Sequence, residues 1–132
     1  MCYIKKLYKD YMRDFNQSIY AGERALMAST GKVFVPPACS KRGAACNVHM
    51  FFHGCDVTDT FDVFSEYGGF NEWAINNRFV IVYPKMGTND RSNKQMHSGC
   101  WDGYGDTGPD YDLRSGPQMR AVEAMIRGMR GF

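Results

Sequence analysis

The sequence predicts an α/β fold, and three observations carry that prediction. Two short apolar runs, residues 47–52 and 79–83, are rich in β-branched and aromatic side chains and too short to be helices. The segment between them, 56–77, carries helical spacing, so strand, helix and strand follow one another as a βαβ unit. A third segment, from Ser115 onward, places Met119, Val122, Ile126 and Met129 on one apolar stripe. The expected architecture is about three strands, flanking helices and one long loop.

Taken in order, residues 1–14 alternate Lys, Arg, Tyr and Asp without a period and read as a poorly ordered lead-in. Residues 15–31 hold one short helix around 23–28, punctuated by Gly22 and Gly31. Residues 32–35 form a short strand that Pro36 and Pro37 stop. The run 47–52, nearly continuous in apolar residues, reads as a strand buried on both faces. It passes into His53-Gly54-Cys55, where glycine lets the backbone bend sharply or approach something closely. In open α/β sheets, chemistry gathers at the carboxyl ends of strands, and this turn lies at one. Thr58 or Asp59 caps the next helix, with Phe61, Phe64 and Tyr67 on one side. Gly68 and Gly69 interrupt it, and 71–77 resumes with Trp73 and Ala74 inward. Residues 85–114 form a long polar segment; a loop of that length is usually functional or covalently pinned. Pro117 suits the first turn of the last helix, which covers a sheet face.

Composition narrows the function classes. At 132 residues there is room for one domain, and 44% hydrophobic with 23% charged residues marks a folded chain. Net charge is +2 with the basic residues scattered, so neither nucleic acid nor an anionic membrane is expected as a partner. No apolar run approaches the roughly 18 residues that span a bilayer. The amino terminus lacks the apolar core of a signal peptide, yet five cysteines point to an oxidising compartment. Together these lead to the expectation of an incomplete amino terminus on an exported protein; a glycosylation sequon at Asn16 fits export.

None of the cysteines forms a C-x-x-C pair, which argues against a zinc ribbon or a thioredoxin-type site. Cys39 and Cys46 bracket a loop of polar and small residues, where a bridge would staple a hairpin-like connection. Cys55 and Cys100 sit beside glycines and make the next plausible pair; Cys2 is left over. The acidic run Asp102, Asp106, Asp110 and Asp112 lacks the spacing of a calcium loop and reads as turn-forming, so no metal is expected. His49 and His53 are four apart on an extended strand, about 13 Å between Cα atoms, too far for a shared metal or relay. His49 reads as a hydrogen-bonded core residue and His97 as a loop residue. Trp73 and the methionines at 119, 125 and 129 read as core.

Seven segments in order and spacing carry a family resemblance. They are Val33-Phe-Val-Pro-Pro-Ala-Cys39, Cys46 to Cys55 through His49 and Phe52-His-Gly, Tyr67-Gly-Gly-Phe-Asn-Glu-Trp-Ala74, Val80-Ile-Val-Tyr-Pro84, Gly99-Cys-Trp-Asp102 with Tyr104-Gly105, Asp110-Tyr111, and Ser115-Gly-Pro-Gln-Met-Arg-Ala-Val122. The chain resembles the carboxyl-terminal portion of extracellular, single-domain poly(3-hydroxybutyrate) depolymerases, whose α/β-hydrolase fold is circularly permuted. Residues 15–132 would then be one portion of that domain, with a partial α/β-hydrolase-like sheet and a disulfide-pinned loop. The resemblance implies that the backbone N–H of Cys55, after His53 and Gly54, helps bind the oxyanion. It implies bridges Cys55–Cys100 and Cys39–Cys46, Trp101 lining the polymer crevice with Tyr104 near its rim, a polyester substrate, secretion and no cofactor.

The departure from the family matters as much. Its serine, aspartate and histidine lie upstream of the matched region, and no Gly-x-Ser-x-Gly elbow occurs in this chain. His53 is therefore expected to orient the oxyanion turn and not to act as a base. Two function classes follow: part of a secreted serine esterase, inactive alone, or a non-catalytic remnant that binds polymer or protein. A sheet cut at this point would leave an open apolar edge and a tendency to self-associate.

Overall fold

The computed structural model describes residues 9–56, 60–88 and 98–129. Its centre is a four-stranded mixed sheet in the order β1-β2-β4-β3. The strands are β1 (Met12–Asn16), β2 (Thr30–Phe34), β3 (Asn47–Met50) and β4 (Phe79–Tyr83). β1 pairs antiparallel with β2, from Met12 opposite Phe34 to Asn16 opposite Thr30. β2 is antiparallel to β4, and β3 runs parallel to β4 with Asn47 beside Phe79 and Met50 beside Val82. A parallel pair needs a crossover, and α1 (Phe61–Tyr67) and α2 (Phe70–Asn77) supply it.

Strand alternation builds two cores. Val33 and Val35 of the β2 segment and Val80 and Val82 of β4 face one side, where Cys39 and Met129 join them. Phe34, Ile81 and Tyr83 face the other side against Phe61 and Ala74 of the crossover helices. The last helix, α3 (Pro117–Met129), therefore covers the first face through Met129, and α1 and α2 cover the second. Lys32 reaches from β2 to Asp62 of α1 at 3.1 Å, adding an ion pair to that docking.

Several expectations change here. The sheet has four strands, not three, because Met12–Asn16 joins it; Met-Arg-Asp-Phe-Asn has no apolar–polar alternation of its own, and its strand character comes from pairing with β2. The helix expected over 23–28 is a single 3-10 turn, Glu23–Ala25, ended by Leu26 in the left-handed region. β3 is not buried on both faces. It has one strand partner among the described residues, all its side chains are partly or fully exposed, and β4 is the buried strand instead. Phe64 and Tyr67, expected on one side with Phe61, are 45% and 53% exposed while Phe61 is buried, and Trp73, expected inward, is half-exposed while resting on Phe79. On α3 the buried positions are Gln118, Ala121, Met125 and Met129, so Met119 faces outward.

Other expectations hold. The helical segment breaks at Gly68 and Gly69, and the latter adopts a positive φ of 83°. Both bridges are formed: Cys39–Cys46, with Cα atoms 5.9 Å apart, ties the exit of β2 to the entry of β3, and Cys55–Cys100 pins the long loop to the end of β3. Cys2, His97 and the capping positions Thr58 and Asp59 lie outside the described residues.

Candidate active-site turn and its aromatic wall

The chain leaves β3 at Met50, and Phe51 still donates its N–H to Val82 O at 2.9 Å. Phe51 packs inward between Phe70 and Tyr83. Phe52, on the opposite face of the extended backbone, emerges half-exposed. His53 then turns back into the protein at 6% exposure, while Gly54 and Cys55 are exposed.

Both ring nitrogens of His53 are engaged. Nε2 accepts the N–H of Met86 at 3.0 Å, so Nδ1 carries the proton and donates to the carbonyl of Gly54 at 2.7 Å. Burial pushes the His53 pKa below its ordinary value; the bond to Gly54 opposes this, and the charge of Lys85 adds to it. Neutral and held on both sides, His53 has no free nitrogen with which to act as a base.

That hydrogen bond fixes more than a ring. In a trans peptide the carbonyl and the following N–H point in opposite directions. With the Gly54 carbonyl drawn to the His53 ring, the Cys55 N–H is directed away from it. No acceptor for that N–H exists among the described residues, although the neighbouring Asp56 N–H is bound to Ser98 O at 2.8 Å. Gly54 does not supply the bend that its identity suggests, because the left-handed residue is Asp56, at φ 55°. A Cβ at Gly54 would meet nothing within 4 Å among the described residues.

Trp101 flanks the turn. Its Nε1 donates to the carbonyl of His53 at 3.1 Å, and its ring lies 5.8 Å from the His53 ring and edge-on to Phe52 at 5.0 Å. Asp102 holds the loop that follows. Its carboxylate accepts the N–H groups of Tyr104, Gly105, Asp106 and Thr107 and the Thr107 hydroxyl, at 2.7–3.1 Å. Burial works against its ionisation, but the Thr107 hydroxyl and the loop amides outweigh burial and lower the pKa from 3.8 to about 2. Asp102 thus does the turn-forming work expected of it, whereas the Asp110 carboxylate pairs with the distant Arg24 at 3.1 Å. Tyr104 is 74% exposed and makes no ring contact with Trp101 among the described residues.

The chain is similar to proteins of known sequence and structure. A poly(3-hydroxybutyrate) depolymerase of Delftia acidovorans is 36% identical over 116 residues, and a polyhydroxybutyrate depolymerase of Talaromyces funiculosus is 28% identical over 110. Its homologues are poly(3-hydroxybutyrate) depolymerases. A depolymerase solved with an R3HB trimer superposes on 92% of this chain with a TM-score of 0.77 and 28% identity. The depolymerase of Penicillium funiculosum superposes on 90% with a TM-score of 0.71 and 29% identity. The chain spans 22% and 32% of the lengths of the two sequence relatives and 41% and 39% of the two structures. No protein-family model matches.

Against the depolymerase resemblance read from sequence, the structure brings His53, Gly54, Cys55 and Trp101 together, and Tyr104 stands exposed three residues along the chain from Trp101. His49, expected in a hydrogen-bonded core, is half-buried and stacks on Phe70 with centroids 5.3 Å apart. Two residues escaped the sequence reading. Phe52 looked like core strand because the apolar run continues through it, although strand alternation places it opposite Phe51. Met86 contributes only a backbone N–H, for which a sequence has no signal.

Proposed function

We propose that this chain supplies the oxyanion-binding peptide and one aromatic wall of a polyester-hydrolysing site, as the carboxyl-terminal part of a depolymerase-like serine esterase. The attacking serine and its histidine and aspartate partners come from sequence outside these 132 residues. The observation that carries the reading is the Gly54–Cys55 peptide: its carbonyl is anchored by His53, and its N–H, directed away from that anchor, has no acceptor among the described residues, just past the end of β3. An amide held before the reaction and aimed at developing negative charge is what acyl transfer requires. His53 orients this peptide, and Phe52 and Trp101 offer apolar surface for the alkyl part of a hydroxyalkanoate chain, with Tyr104 further out along the same loop. The two disulfides support an oxidising, extracellular setting.

One oxyanion donor contributes about 2.7–4 kcal/mol, two to three decades in rate, and cannot replace an activated nucleophile. The isolated chain is therefore expected to resist a fluorophosphonate probe. Titration with a hydroxybutyrate trimer should move the NMR signals of the Cys55 amide and the Trp101 indole ahead of others. Covalent labelling at any serine overturns this assignment, as does a trimer response centred away from residues 52–55 and 101.

A second reading has its own observation. β3 has an unpaired edge among the described residues, and α1 exposes Val63, Phe64 and Tyr67. That surface suits association, with a copy of itself or with the rest of the hydrolase fold. Sedimentation showing a monodisperse monomer at high concentration counts against self-association.

A further inference from the structure

We propose that Gln17 is a positioning residue for the oxyanion peptide, acting through Lys85, Met86 and His53. The inference rests on the reading of Cys55 N–H given above, and it explains how that peptide is held from the far side of the sheet.

Gln17 follows β1 in the turn Gln17–Ile19 and is completely buried, at 0% exposure. Its carboxamide brackets one residue as a neighbouring strand would. Oε1 accepts the N–H of Lys85 at 2.8 Å, and Nε2 donates to the carbonyl of Lys85 at 2.9 Å and to that of Ala28 at 2.6 Å. The Ala28 N–H shares the Lys85 carbonyl at 3.0 Å, and Gln17 adds a hold on the Lys85 N–H and a tie to the Ala28 carbonyl.

The consequence runs through two peptide planes. The Lys85 carbonyl and the Met86 N–H belong to one trans peptide and point in opposite directions. Drawing the carbonyl toward Gln17 and Ala28 aims the N–H at Nε2 of His53. A donor at Nε2 forces the ring proton onto Nδ1, and Nδ1–H draws the Gly54 carbonyl, which turns the Cys55 N–H outward. Gly31 makes room for the first link: a Cβ there would lie 2.5 Å from Gln17 Oε1.

The test uses the whole chain, labelled with 15N, and needs no substrate. Long-range proton–nitrogen spectra of the His53 ring report its tautomer, and the Cys55 amide resonance reports the peptide. In the wild type a single Nδ1–H form is expected. Gln17→Met, similar in size but without the bracket, should give a mixture of both tautomers and a displaced Cys55 amide. Gly31→Ala should do the same by pushing the carboxamide aside. Gln17→Glu should recover the wild-type signals once its carboxyl is protonated, because that group can again accept from the Lys85 N–H and donate to a carbonyl. A folded Gln17→Met or Gly31→Ala chain with wild-type His53 and Cys55 signals overturns the proposal. That result leaves the oxyanion reading intact, whereas a wild-type Cys55 amide unmoved by the trimer removes the oxyanion reading and leaves the Gln17 link standing.

Discussion

Replacing Asp102 by asparagine tests the loop that carries Trp101. The carboxylate accepts five hydrogen bonds, three on Oδ1 and two on Oδ2. Asparagine keeps one oxygen and turns an NH2 group toward backbone N–H groups that cannot accept from it, the Thr107 hydroxyl being the one partner that could. The drop in pKa from 3.8 to about 2 corresponds to at most ~2.4 kcal/mol of preference for the ionised form, and solvent screening at this partly exposed site reduces it to about 1 kcal/mol. Adding the mismatched NH2, we expect Asp102→Asn to cost about 2 kcal/mol, lowering Tm by about 5–10 °C for a chain of this length. The sign with pH is fixed. A carboxyl whose pKa is depressed by folding contributes its full share above about 3.8 and loses it as pH falls through about 2. The gap between wild type and variant should therefore narrow from pH 5 to pH 2. Thermal melts followed by circular dichroism measure the gap. A Trp73→Phe background leaves Trp101 as the indole whose fluorescence follows the loop. A variant melting within a degree of wild type at neutral pH, or a gap that stays constant down to pH 2, refutes the reasoning.

Two further outcomes follow from the same coordinates. Removing Cys55–Cys100 by paired serine substitutions should cost more than removing Cys39–Cys46, because the bridges span 45 and 7 residues and chain entropy scales to about 4 and about 2.5 kcal/mol; denaturant midpoints in the reverse order would contradict this. Tyr83→Phe removes the hydroxyl that donates to Asn71 Oδ1 at 2.7 Å inside the core, where Asn71 also donates to Ser65 O. We expect a loss of about 1–3 kcal/mol in equilibrium unfolding, and an additive double-mutant cycle with Asn71→Leu would show that the pair is not coupled.

What the sequence disclosed was what local pattern encodes. The β-branched run 79–83 became β4 residue for residue, the paired glycines broke the crossover helix, and Pro117 opened α3. What it hid was set by partners far away in the chain. The role of Met12–Asn16 as an edge strand depends on Thr30–Phe34, and nothing in its own sequence, Met-Arg-Asp-Phe-Asn, distinguishes it from a lead-in. The run into His53 looked doubly covered because its residues are apolar, but apolar character does not reveal that a strand lies at a sheet edge. On α3 the buried register follows Gln118, whose carboxamide donates to Ala25 O and accepts from Asp102 N–H, so a polar residue sits where an apolar stripe is expected. The candidate site was legible where side chains carry it, as at His53 and Trp101. It was opaque where backbone groups do, as at Met86.

The distribution of satisfied groups around the turn is the strongest reason to regard it as a site and not merely a strand exit. The indole of Trp101, both nitrogens of His53, the Asp56 N–H and both carboxylate oxygens of Asp102 have partners. A turn that needed only to reverse the chain gains nothing from a buried histidine whose proton is placed by a distant amide. It could satisfy the Gly54 carbonyl with water at little cost, since Gly54 is exposed. Instead, a side chain that must remain neutral and desolvated is spent on that carbonyl, and the opposite end of the same peptide has no acceptor among the described residues. Cooperative polarisation adds to the effect, because an N–H becomes a better donor when its own carbonyl is accepting. A preorganised donor contributes most where it need not reorient during the reaction, and the Gly54–Cys55 peptide, clamped at one end and open at the other, meets that condition.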